Sequence, residues 1–205
     1  MIETVVLVPG IGFGGSELFF LARCLRQHGY VVKIFWKNPW RCSLSTSADK
    51  LYSMLMTSKS EKIHLVAHSL GGFVVLQLLQ DYPHLPVKRI VFLGVPISGC
   101  LAAQRVSRIP GGRWLLGQAL GSVCWNSSLS FPPKVEVGAI AGKLNLLLGF
   151  LLCPRKQNDT LVCVEETQHP DLRSSCVLLV SHTSMLFSKQ VIKYVKHFLD
   201  RGTFI

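Results

Sequence analysis

Acidic residues are scarce in this chain. It has 11 Asp plus Glu against 22 Lys plus Arg, a net charge of +11, and charged residues make up only 16% of its 205 residues, against roughly 25% in an average soluble domain. Hydrophobic residues make up 49%, which excludes intrinsic disorder and supplies apolar material for a core on both faces of a sheet. Long apolar runs are also missing. The longest candidate, Leu144 to Cys153, is half the length of a spanning helix and includes Asn145. No basic n-region precedes the first apolar run, so no cleavable secretory signal is read. The cations are scattered singly or in pairs such as Lys88-Arg89, with no basic tract or zinc-finger spacing. Nucleic acid is therefore not the expected partner. The basic excess points to a solvated face or to attraction towards an anionic membrane or substrate.

The seven cysteines (24, 42, 100, 124, 153, 163 and 176) contain no C-x-x-C pair, and their number is odd. A reducing, cytoplasmic compartment fits this usage, with one disulfide left open. No His/Cys/Asp group has metal-ligand spacing, so no metal and no other cofactor is expected.

Apolar runs alternate with helical patterns, which predicts an α/β domain with a mainly parallel sheet and helices on both faces. Expected strands are 4–8, 31–36, 63–67, 90–93, 135–141 and 177–180. Expected helices are 16–28, 47–58, 71–82, 188–200 and a short one near 114–120. One domain, 1–205, is expected. Its Gly-, Pro- and Ser-rich stretch 96–133 would form a small cap or loop insertion.

The chemistry concentrates at Ala67-His68-Ser69-Leu70-Gly71-Gly72, between an expected strand and an expected helix. Small residues around a serine at such a sharp turn are what a nucleophile elbow requires, because the turn lifts the hydroxyl clear of the sheet and neighbouring backbone comes close. A capping serine would account for the same strand-turn-helix pattern. A nucleophilic serine needs a base, and the base an orienting acid, here in the chain order Ser, Asp or Glu, His. His182, just past the last expected strand, is the preferred base over His169 and His197. Asp159, in the polar turn Gln157-Asn158-Asp159-Thr160, is the preferred acid over Glu165, Glu166 and Asp171. The Leu70 N–H and the Ile11 N–H, the latter from the glycine-rich loop after the first strand, are the expected oxyanion donors.

That loop also spells G-x-G-x-x-G with Gly10, Gly12 and Gly15. A dinucleotide site would need an acidic residue about 20 positions on. None occurs between Glu17 and Asp49. NAD is disfavoured, and NADP would have to use Lys37 or Arg41 and would leave Ser69, Asp159 and His182 unexplained.

Taken together these residues resemble α/β-hydrolase-fold lipases and esterases of the compact bacterial type. Val5 to Gly12 is similar to their oxyanion loop and Ala67 to Gly72 to their A-H-S-x-G-G elbow. Gly94-Val95-Pro96-Ile97-Ser98-Gly99 resembles the G-x-P-x-x-G turn of lipase-like and GPI-inositol-deacylase-like hydrolases. Asn158 to Val162 resembles their N-D-G-x-V acid turn, and Ser181-His182-Thr183 their histidine segment. Pro9 stands where that family usually has histidine, Thr160 where it commonly has glycine, and Ala67 for the first elbow glycine. The resemblance implies an α/β-hydrolase fold with minimal cap, and ester hydrolysis through an acyl-enzyme on a small-molecule ester or lipid. Acyl transfer and thioester hydrolysis use the same intermediate, and a non-catalytic binding protein on the same fold is the reading from another class. The apolar stretch 144–152 would either cover the sheet as a buried helix or form an apolar wall beside the site, touching an acyl chain or a membrane surface.

Overall fold

The computed structural model describes residues 3–10, 14–36, 42–58, 60, 62–112, 130–153 and 156–205, without the side chains of 147, 148 and 150. Six strands form one sheet in the order β2-β1-β3-β4-β5-β6. They are β1 (Glu3–Val8), β2 (Val31–Ile34), β3 (Lys62–His68), β4 (Val87–Leu93), β5 (Glu136–Gly142) and β6 (Ser174–Leu178). Every pairing is parallel. Parallel neighbours need crossovers, and the helices supply them: α1 (Phe19–Gln27), α2 (Leu44–Met56), α3 (Leu70–Asp81), α4 (Leu101–Ser107), α5 (Leu147–Leu152) and α6 (Lys189–Arg201).

The alternation of side chains along each strand divides the core in two. Val6, Val8, Leu65, Ala67, Ile90 and Phe92 pack with α2 and α3, while Val5, Leu7, Val66, Val91 and Leu93 pack with α1 and α6. Both faces are thus covered, which is why the central strands read as unbroken apolar runs.

Three expectations need correction. Helix α2 begins at Leu44 rather than 47, because Ser43 is the N-cap, its hydroxyl accepting the Thr46 N–H at 3.1 Å. Ser47, expected at the start, instead sits inside the helix, buried, and donates to the Ser43 carbonyl. Strand β6 covers 174–178 rather than 177–180. It is an edge strand paired only with β5, Gly138 opposite Ser174, so backbone pairing rather than an apolar run defines it. Within 96–112 the chain forms α4, capped by Cys100, whose sulfur accepts the Ala103 N–H. The short helix expected near 114–120 lies outside the described residues.

Candidate active site

The pieces of the site come from segments that follow the carboxyl ends of strands, directly for Ser69 and His182 and after α5 for Asp159. At the end of β3 the chain turns directly into α3, and the turn falls on Ser69, with φ 52° and ψ −126°. That strained backbone is held by the Ser69 N–H bonding the Leu93 carbonyl at 3.0 Å. The small residues of the turn are explained by close approach. A Cβ on Gly71 would come within 2.5 Å of the Val8 and Pro9 carbonyl oxygens, and one on Gly72 within 2.2 Å of Val95. The backbone after β1 is equally close: a Cβ on Gly10 would stand 3.0 Å from the Ser69 Cβ.

Ser69, His182 and Asp159, far apart in the chain, form one hydrogen-bonded row. His182 Nδ1 lies 2.8 Å from Asp159 Oδ2, and His182 Nε2 lies 2.8 Å from Ser69 Oγ. An ionised carboxylate only accepts, so Nδ1 carries the ring proton and Nε2 accepts from the serine hydroxyl. The acid is fixed by its own turn. Asp159 Oδ1 accepts the N–H groups of Leu161 at 3.0 Å and Val162 at 2.8 Å, and its carbonyl accepts the His182 N–H at 2.8 Å. Asp159 and His182 are both buried.

The other candidates are placed elsewhere. Glu165 pairs with Lys156, and Glu166 accepts the Cys163 and Leu101 N–H groups. His169 Nδ1 accepts the Asp171 N–H, and His197 lies within α6. Leu70 is the first residue of α3, so its N–H has no partner within the helix. Ile11, Gly12, Lys37 and Arg41 lie outside the described residues.

Two contributors stood in the sequence only as parts of motifs, with no role assigned. His68 is buried behind the row. Its Nε2 lies 2.9 Å from the His182 carbonyl oxygen and therefore donates, leaving Nδ1 as a buried acceptor with no hydrogen-bond partner among the described residues. Burial, helped by the nearby His182 ring, pushes its pKa down to about 3, so the ring is neutral. Gly94 has φ +56°, and a Cβ there would sit 3.0 Å from Asp159 Oδ2 and 3.1 Å from His182 Nδ1. The spacing of the G-x-P-x-x-G turn was the signal for it.

Beside the Ser69 hydroxyl lies a cavity of about 180 Å3, lined by Phe73, Ala103, Val106, Leu152, Leu161 and Val162. Leu152 belongs to the 144–152 stretch, which is neither wholly buried nor wholly surface. Leu152 is half-buried, whereas Leu151 is 75% exposed. The side chains of Leu147, Leu148 and Phe150 lie outside the described residues. Cys153, Cys163 and Glu166 bring ligand atoms within 4.8 Å of one another. Among the described residues no helix is long and apolar enough to cross a membrane.

The family profile for the alpha/beta hydrolase fold matches residues 37–113. A putative carbamate hydrolase, RutD, from Yersinia enterocolitica is 32% identical over 97 residues, 43% of this chain and 34% of that protein. The uncharacterized protein YJR098C of Saccharomyces cerevisiae is 36% identical over 77 residues, 35% of this chain and 10% of that one. The matches thus span about a third of the one relative's length and a tenth of the other's. The mature lipase BlEst2 of Bacillus licheniformis superposes with a TM-score of 0.71 at 18% identity, covering 98% of this chain and 91% of that one. Sheet order, elbow turn and these likenesses agree: the chain is an α/β-hydrolase-fold protein.

Proposed function

We propose that this protein is a serine hydrolase that cleaves carboxylic esters with an apolar acyl group. The observation that carries the reading is the Ser69–His182–Asp159 row, with both links at 2.8 Å, opening onto an apolar cavity. In this reading His182 Nε2 takes the Ser69 proton as the hydroxyl oxygen attacks the ester carbonyl. Asp159 holds the imidazole with its proton on Nδ1 and stabilises the imidazolium that forms. The Leu70 N–H, joined by that of Ile11, binds the oxyanion, and each such donor lowers the barrier by about 2.7–4 kcal/mol. His182 then protonates the leaving alcohol. Water, activated by the same histidine, releases the acid from the acyl-enzyme. All of these steps use side chains and backbone of a single α/β domain and require no metal or cofactor.

The apolar cavity supports an acyl chain as the occupant, and the names of relatives (a lipase and a putative carbamate hydrolase) agree with acyl chemistry at a serine. Exposed Leu144, Leu146, Leu151 and Leu179 follow β5 and β6 at the carboxyl end of the sheet, where the site lies. With a net charge of +11 they support peripheral contact with an anionic membrane carrying the ester.

A fluorophosphonate probe tests the reading. It should modify one residue, Ser69, and Ser69→Ala protein should remain unlabelled. A folded protein whose Ser69 stays unmodified would favour a binding protein on the same fold.

A further inference from the structure

The acid turn is bracketed by two cysteines. Cys153 ends α5 and Cys163 follows the turn that carries Asp159. Their sulfurs lie within 4.8 Å of each other. Cys153 is 1% exposed and Cys163 fully buried. Cys153 Sγ donates to the Leu161 carbonyl within the turn, at 3.7 Å. The backbone already runs close here. Asn158 pairs with Cys163 across the turn, and the Asn158 side-chain amide donates to the Cys153 carbonyl at 3.2 Å.

The geometry points to Cys153 and Cys163 as an oxidisable pair that closes into a disulfide, a covalent clasp between the end of α5 and the acid turn. The two residues belong to opposite ends of one loop, and the atoms that must bond already lie within 4.8 Å. The chemistry is two-electron thiol–disulfide exchange with a small-molecule disulfide such as glutathione disulfide. One cysteine thiolate attacks it, forming a mixed disulfide and releasing one thiolate, which takes up a proton. The second cysteine thiolate attacks the mixed disulfide at the protein sulfur, forming the Cys153–Cys163 bond and releasing the second thiol. Two electrons pass from the pair to the oxidant, and the two protons lost by the cysteines end on the released thiols.

The surroundings set the character of this pair. Burial is the first cause that holds both thiols above the usual range, and the Glu166 carboxylate adds to it. Such thiols are poor nucleophiles, so closure requires opening of the short helix α5 or alkaline pH. Once closed, the bond is shielded from reductant by the same burial. A divalent cation would use the same atoms, but both Glu166 oxygens already accept backbone N–H groups, from Leu101 and Cys163. Structural zinc sites almost always present four protein ligands, and three converge here.

The clasp ties Leu152 to Leu161 and Val162, all of which line the cavity. Only this consequence rests on the proposed catalytic reading; the pairing does not.

Trypsin decides the pairing, because Arg155 and Lys156 lie between the two cysteines. The folded wild-type protein is held at mildly alkaline pH with glutathione disulfide, its free thiols are alkylated in denaturant, and it is digested without reductant. Peptides 144–155 and 157–173 should then be recovered as one linked species that separates on reduction. The oxidised protein should melt about 5–10 °C above the reduced one. Cys153→Ala and Cys163→Ala should each abolish the whole of that difference. Recovery of both peptides singly alkylated overturns the proposal, as does linkage to other cysteines. One zinc ion per chain, protecting both thiols from alkylation in the native protein, overturns it in favour of a metal site. The wild-type comparison stands even where a variant fails to fold. Because it reads a peptide link, its failure is distinct from failure of Ser69 to react.

Discussion

His68 Nε2 donates to the backbone carbonyl of His182 at 2.9 Å, so the residue before the elbow serine holds the segment that carries the histidine facing that serine. The two rings stand 4.8 Å apart, and His68 is buried and absent from the lining of the cavity beside Ser69. Its role in the proposed reaction is positioning. His68→Phe should lower kcat roughly a hundredfold, the cost of a misplacement on the order of 1 Å, and leave KM within a factor of a few. His68→Gln, which keeps a donor of similar reach, should recover most of kcat. A purely packing role would predict the opposite order, with the aromatic variant better than the amide.

Thr160 has φ 103°, in the left-handed region that favours glycine. Its backbone N–H bonds Asn158 Oδ1 at 2.9 Å, and its hydroxyl accepts the Leu146 N–H, the N-cap of α5, at 3.0 Å. Strain and hydrogen bond act in opposite directions and are each worth about 1 kcal/mol. Thr160→Gly relieves the first and loses the second, so its stability should lie within about 1 kcal/mol of the parent. Thr160→Ala loses the bond without relieving the strain and should be the less stable of the two by urea unfolding.

Two buried histidines predict acid sensitivity. Burial pushes His68 down to about 3, and His64 down to about 4 against the opposing attraction of Glu3. Both are neutral when folded and titrate near 6.5 when unfolded. Below about pH 6.5 the unfolded chain therefore binds protons that the native state does not. Stability falls with pH through that window, by up to about 1.4 kcal/mol per pH unit for each histidine. Urea unfolding between pH 7 and 5 should show this loss. In His68→Gln the slope should be about half as steep.

Much of this was legible in the sequence, for identifiable reasons. The turn at Ser69 was readable because a buried strand, a serine and two glycines must coincide there, and the glycines prove to be sites where backbone and Val95 leave no room for a Cβ. Asp159 and His182 were readable because chain order and adjacency to strand ends narrow the choice. Strand β6 was misplaced because an edge strand rich in serine carries little apolar signal. Helix α4 was missed because its seven residues sit among glycines and prolines, with a cysteine rather than a serine as cap. The proximity of Cys153 and Cys163 was invisible, since it arises from the path of the acid turn and not from a spacing motif.

The cavity predicts a substrate preference. Ala103 and Leu152 both line the space beside Ser69. kcat/KM should rise from acetate to octanoate esters, by up to about fourfold per methylene while the chain is being buried. Ala103→Phe should fill the cavity and flatten that rise, leaving acetate hydrolysis within a few-fold of the parent. A profile that is flat in the parent protein would reduce the role of the cavity to packing.

The most direct test of the central claim is the ester hydrolysis rate of Ser69→Ala beside the wild-type protein, with circular dichroism and melting temperature showing that both are folded. Loss of a triad nucleophile costs on the order of 10⁶ in kcat in a well-studied serine protease. The hydrogen-bonded row through His182 to Asp159 predicts a loss of that order here. A folded Ser69→Ala protein that keeps more than about a tenth of the parent rate, set against that expected loss, would contradict it.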